Sequence, residues 1–180
     1  MSAGPLETSV IEHEFRVAAR PEVVFAYFTD PAKMTQWMGA HATLDPRPGG
    51  ICRIVFEPLA ARVDSVAAEF GAAEDGDARR PPDAVAMTGE FVTVDPPRYI
   101  SLTWGWEYEP LAVPPQSAAV EVSFTQAGDE TVVRLVHRRL PPAAVGFHRA
   151  GWAHYLARLT IAAAGGNPGI DPWQARRRAG

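Results

Sequence analysis

A single cysteine, Cys52, stands in the whole chain, which excludes an internal disulfide and leaves no CxxC or Cys/His spacing for a structural metal. The five histidines form no HExxH pattern, and His148 and His154 fall on different faces of one helix. Phosphate-cradling loops of the GxGxxG and GxxxxGK(S/T) kinds are also missing, so neither a metal nor a nucleotide cofactor is expected. No window approaches the roughly 18 apolar residues of a membrane span. The N-terminus lacks a basic segment followed by an apolar stretch, which makes a cytoplasmic location the default. Positive charge is scarce too. The net charge is −4, and Arg79-Arg80, Arg138-Arg139 and Arg176 to Arg178 are too short and scattered to give the basic footprint of a nucleic-acid-binding surface.

What is present is ordinary globular material: 180 residues, 47% apolar and 21% charged, enough for one sizeable core. The richness in Ala, Pro, Arg and Gly points to a GC-rich bacterial genome. Residues 1–7 read as a tail. Alternation from Val10 to Val17 predicts a strand. Pro21 then suits the first turn of a helix to Thr29, with Val23, Val24, Tyr27 and Phe28 gathered on one face. Asp30-Pro31 predicts a second short helix, capped by the carboxylate and stopped at Gly39. A hairpin follows, His41 to Asp45 and Ile51 to Glu57, turning at Pro46 to Gly50.

Residues 58–86 break into Ala, Asp, Glu, Arg and Pro, with one helical turn expected at Ser65 to Phe70, and read as a loop or flexible insertion. Strands are predicted at Met87 to Val94 and Tyr99 to Glu107. In the second, Ile100, Leu102, Trp104 and Trp106 share the apolar face. After a proline-rich loop, Ala118 to Gln126 and Thr131 to His137 pair through Gly128-Asp129, placing Val133, Leu135 and His137 together. A long helix is predicted from Pro141-Pro142 to Ala164. Its apolar stripe holds Ala144, Val145, His148, Gly151, Trp152, Tyr155, Leu156, Leu159 and Ala163. About 23 residues at 1.5 Å each give roughly 35 Å, enough to cross a sheet. Residues 165–180 read as a loosely held tail apart from Trp173. The expected architecture is α+β: a curved antiparallel sheet of about six or seven strands wrapped around a long C-terminal helix, with two short helices after the first strand.

Several segments resemble one superfamily in order and spacing. They are Ile11 to Val17, Pro21-Glu22-Val23-Val24-Phe25, Asp30-Pro31, Trp37-Met38, Pro48-Gly49-Gly50, Gly89-Glu90-Phe91 to Arg98, Leu102-Thr103-Trp104, and Gly151-Trp152 with Leu156. Together, over residues 8–164, they resemble the SRPBCC or START-like helix-grip superfamily. The branch they resemble most is the homologues of the C-terminal domain of the heat-shock-protein-90 ATPase activator. The resemblance implies a hydrophobic cavity between sheet and long helix, which relatives use for lipids, polyketides, hormones and aromatic compounds. It also implies that some relatives are cyclases, dehydratases or hydrolases, while others act on a chaperone. The fold does not decide among them. The 58–86 stretch, usually a short turn in such chains, either shapes the cavity mouth or is neutral.

Trp104, Trp106 and Trp152 are expected to point inward, with Trp37 near the short helices, each either packing the core or walling a ligand. An empty hole of about 300 Å³ would cost on the order of 7 kcal/mol, so a void needs a functional reason, and the tryptophans are its alternative filling. His148, mid-stripe, is placed to bond or shuttle a proton, or else to sit near the mouth on a loop carbonyl. His137 shares that choice, Tyr155 lies two turns on from His148, and His41 is expected at the mouth. Glu90 is either an inward carboxylate, paired with Arg53 or serving as a base, or an outward one.

Three readings follow. The first is binding of a small hydrophobic or aromatic molecule by Trp37, His41, Trp104, Trp106, His137, His148, Trp152 and Tyr155, blocked by a bulky change at Gly151. The second is a cyclase, dehydratase or hydrolase using His148, Tyr155 and Glu90. The third is a chaperone-associated interaction module. No separate N-terminal domain precedes the matching region, so full co-chaperone action is not expected, and assembly as a homodimer stays open.

Overall fold

The computed structural model describes residues 9–57 and 83–174. Expectations for the N-terminal tail, for most of the 58–86 stretch with its helical turn, and for the last six residues lie outside them. Strand β1 (Ser9–Val17) leads into α1 (Pro21–Thr29) and α2 (Pro31–Trp37). Proline opens both helices, where its fixed φ fits and its missing N–H costs no bond. Asp30 caps α2, one carboxylate oxygen accepting from the amides of Ala32 (2.8 Å) and Lys33 (3.4 Å). The Trp37 indole donates to the Tyr27 carbonyl at 2.9 Å and fastens the two helices together.

The remaining strands are β2 (His41–Leu44), β3 (Ile51–Phe56), β4 (Val85–Asp95), β5 (Tyr99–Trp104), β6 (Ala118–Ala127) and β7 (Glu130–Leu140). They join β1 in one antiparallel sheet of order β1-β7-β6-β5-β4-β3-β2. Short turns join β2 to β3, β4 to β5 and β6 to β7, and β1 pairs with β7. Period-two patterning decides the inner face: Ile100, Leu102 and Trp104 of β5, Val120, Val122 and Phe124 of β6, and Val133, Leu135 and His137 of β7 are all buried.

Helix α3 (Val145–Ala163) covers this face and buries His148, Trp152, Tyr155, Leu156, Leu159, Ala162 and Ala163. Leu159, wholly buried, contributes about 1.5–3 kcal/mol by that burial. The Tyr27 hydroxyl donates to the Ala162 carbonyl at 3.0 Å, tying the end of α3 to α1. No described helix is long and apolar enough to cross a membrane.

Some boundaries differ from the sequence expectation, each for a local reason. The long helix does not begin at Pro141-Pro142. Pro142–Ala144 forms a 3₁₀ turn and the α-helix starts at Val145. Strand β5 stops at Trp104 because Gly105 is pressed against the following loop, where an added Cβ would stand 2.0 Å from the Pro114 carbonyl oxygen. Trp106 is instead held by its amide on Val113 and a single bridge to Met87. Strand β7 runs past His137 through a bulge opposite Val10, where Arg139 adopts a left-handed φ of 61° and Leu140 returns to the core. Strand β4 opens at Val85, within the expected loop.

The segment after α3 is not loose over residues 165–174. Trp173 stacks on His154 with centroids 3.6 Å apart. His154 Nε2 meets Asp171 at 2.8 Å, Arg158 donates to the carbonyls of Pro168 and Gly169, and the Gln174 side chain accepts from the Glu57 amide. Partners for these groups lie across the fold, so no local pattern announces them.

Candidate functional site

Beneath the first half of α3, five rings from three elements meet. Trp104 ends β5 and Trp106 follows two residues on, so both face inward. His137 comes from β7, and His148 and Trp152, four apart, project from one face of α3. Ring centroids lie 5.2 Å apart for Trp104 and Trp152, 5.3 Å for Trp104 and His137, and 5.1 Å for His137 and His148. Phe147 packs on both Trp106 and His148, and Phe56 on Trp106. The five cluster residues are buried, and their rings occupy the region under the helix where open space was the alternative expectation.

Hydrogen bonds assign the proton on each imidazole. Trp106 Nε1–H donates to His148 Nε2 at 3.0 Å, so that nitrogen carries no proton, and Nδ1–H donates to the Ala144 carbonyl at 2.7 Å. Trp152 Nε1–H donates to His137 Nδ1 at 3.0 Å, which puts the His137 proton on Nε2. Among the described residues, that Nε2–H and the Trp104 Nε1–H are buried without a partner. Burial keeps both imidazoles neutral. The His137 pKa is pushed down to about 2 by desolvation and then by neighbouring His148, and that of His148 to about 4 by desolvation, partly offset by its bond to Ala144.

Other candidate residues stand elsewhere. Trp37 is buried, but its indole serves the Tyr27 carbonyl between α1 and α2. His41 lies on the edge strand β2, with Nε2 3.5 Å from a Glu57 carboxylate oxygen. Tyr155 packs on Phe56, His154 and Trp173, and its hydroxyl accepts from Gln174 at 3.2 Å. Glu90 is not inward and does not pair with Arg53. Burial alternates along β4 with Gly89 and Phe91 in and Glu90 out, so its carboxylate meets only the Gln116 amide among the described residues, at 3.2 Å. Arg53 forks onto Glu107 at 2.7 and 2.9 Å. At Gly151 an added Cβ would meet nothing within 4 Å.

A concavity of about 680 Å³ opens at the far end of α3. Thr35, Trp37, Glu57, Arg158, Asp171 and Gln174 help line it. Arg158 donates to the carbonyls of Trp37, Pro168 and Gly169. Apart from Trp37, no sequence signal marked it, since Arg158 falls outside the apolar stripe. Among the described residues no three His, Cys, Asp or Glu side chains converge as a metal site would require.

Comparison with known proteins agrees with this architecture. The family model of "Activator of Hsp90 ATPase homolog 1-like protein" matches residues 18–164. An AHSA1-like protein from Rhizobium etli is 35% identical, with 97% of this chain and 93% of that one covered at a TM-score of 0.63. DynU16, described as a protein of the dynemicin biosynthetic locus, is 21% identical over 90% of this chain and 50% of its own, TM-score 0.62. An HSP90 activator from Plasmodium falciparum is 18% identical over 85% and 94%, TM-score 0.57. At those last two identities the likeness establishes the fold alone. No curated protein matches the chain in sequence. Since the matched residues run from α1 through α3, the chain belongs to the Activator of Hsp90 ATPase homolog 1-like family, within the SRPBCC helix-grip superfamily.

Proposed function

We propose that the chain binds a small hydrophobic or aromatic molecule between the sheet and the first half of α3. The observation that carries this reading is the make-up of the cluster. A core built only for stability leaves few buried polar atoms unpaired. Here indole and imidazole rings meet, and two of their N–H groups find no partner among the described residues. Stacked ring walls with a few polar edges are the usual lining of a small-molecule site.

Room for the guest comes from α3 moving outward. Ala144 supplies no side-chain cap to the helix, and no acidic residue stands in its first turn. Gly146 and Gly151 each cost about 1 kcal/mol relative to alanine in a helix, yet neither has a neighbour that a Cβ would strike. The roof over the cluster is therefore the weak part of an otherwise well-formed helix. A solved neighbour from a biosynthetic locus accords with a small-molecule role.

An acid-base enzyme built on His148, Tyr155 and Glu90 finds less support. Both His148 nitrogens are engaged, Tyr155 packs toward Trp173, and Glu90 is on the outer face. The test is native mass spectrometry of protein purified gently from its host, followed by thermal melting with whatever is retained. A ligand at 100 times its Kd should add about 2.7 kcal/mol to the wild type, and Trp152→Ala should abolish the gain. Absence of both a retained mass and a shift with host extracts would refute the reading.

A further inference from the structure

The concavity at the far end of α3 is a separate place from the ring cluster. Arg158, which lines it, stands about 15 Å along α3 from His148 at 1.5 Å per residue, and Trp37, only 1% exposed, lies on its inner side. We infer that this concavity binds a small zwitterion of the amino-acid kind, with its carboxylate on Arg158 and its ammonium group on Glu57.

Opposite charges line the space without neutralising one another. The Arg158 guanidinium donates to the carbonyls of Trp37 (3.3 Å), Pro168 (3.3 Å) and Gly169 (2.9 Å), and further N–H groups of its fork remain. Carbonyl dipoles hold a guanidinium in place but carry no counter-charge. Both carboxylates on the lining are directed elsewhere. One oxygen of Asp171 meets His154 Nε2 and accepts from the Trp173 amide. Glu57 stands 3.5 Å from His41 Nε2, at the outer limit of a hydrogen bond, and among the described residues its other carboxylate oxygen has no partner.

Two side-chain amides add donors. The oxygen of Asn167 accepts from the Gly169 amide at 2.8 Å, and that of Gln174 from the Glu57 amide at 2.7 Å. With both oxygens occupied, these side chains have only N–H groups left to offer a guest. A plain anion would gain Arg158 and the amides but face Glu57 and Asp171, and a plain cation would meet the reverse. A molecule carrying both signs sets each of its charges against an opposite one, and charge-assisted bonds of this kind are roughly twice as strong as neutral ones. At about 680 Å³ the space has the size of an ordinary small-molecule site.

Four molecules of similar length test the inference. L-norvaline and 5-aminopentanoate are isomers that carry both charges, close together and far apart; pentanoate and pentylamine carry one each. Titrations of the full, isotope-labelled chain would be followed by calorimetry and by the amide signals of Gly39, Gly166 and Gly169, which line the space. At least one isomer is expected to bind about tenfold tighter than either singly charged molecule. Glu57→Gln leaves in place the backbone amide that holds Gln174; it should abolish the preference over pentanoate without weakening pentanoate itself, a change in selectivity that a merely loosened fold would not give. Arg158→Gln should abolish the preference over pentylamine. Equal binding of zwitterions and singly charged molecules overturns the inference, as does a preference that survives Glu57→Gln, or no binding by any of the four. None of these outcomes bears on the site beneath the first half of α3.

Discussion

Acid is the perturbation that speaks most directly to the buried cluster. Folded, His137 and His148 are neutral, with pKa values near 2 and 4. Unfolded, each returns to about 6.5. The folded values are depressed, so the unfolded chain binds more protons. The stability gained by keeping the rings dry is complete above pH 6.5 and drains away as pH falls below it. Near pH 5.5 each ring is about nine-tenths protonated in the unfolded chain and bare in the folded one, which gives a slope of roughly 2–3 kcal/mol per pH unit for the pair. By pH 4.5 the loss reaches about 5 kcal/mol, against a total stability of about 5–15 kcal/mol for a domain.

Urea unfolding followed by tryptophan fluorescence between pH 7.5 and 4.5 measures this slope. His137→Gln and His148→Gln should each remove about half of it. Glu12 and Glu107 are held below the ordinary range by their bonds to Arg134 and Arg53, so their contribution is lost only at more acid pH. His13, whose pKa is lowered by burial and by Arg149, acts in the same direction as the pair. A stability that stays flat from pH 6.5 to 5 would refute the reasoning, because it would mean that the two imidazoles are hydrated or already charged in the native state.

Three further outcomes are expected. Gly151→Ala should stabilise the protein by roughly 1 kcal/mol, since the new methyl meets nothing, and a thermal melt should rise by about 2–4 °C. Gly89→Ala should destabilise by about 3 kcal/mol or more, because its Cβ would fall 1.8 Å from the Thr103 carbonyl oxygen; urea midpoints check this. Trp173→Ala removes the stack on His154 and should cost about 1 kcal/mol globally, while amide exchange over residues 165–174 should rise far more.

Much of the fold was legible because its signals are local. Pro21, Asp30-Pro31 and Gly39 punctuate the short helices through φ, capping and turn geometry, and these act within a few residues. The alternation of Ile100, Leu102 and Trp104 marks a half-buried strand wherever that strand is placed. For the site, residue types and faces were readable but pairings were not. Arg53 found Glu107 and not Glu90, because the register of β3 on β4 sets Arg53 opposite Thr88 and Glu90 opposite Ile51. Apart from Trp173, the C-terminal segment looked loose because Asp171 and Gln174 have no periodicity, and their partners His154, Tyr155 and Glu57 come from other parts of the chain.

By itself the order of residues determined that an apolar-faced sheet must be covered by one long striped helix, since periodicity and hydrophobic burial allow little else. Which indole donates to which imidazole, and which two N–H groups remain over, were decided only when β5, β7 and α3 closed on one another. Hydrogen bonds depend on positions within a few tenths of an ångström, and only the packed fold sets those positions.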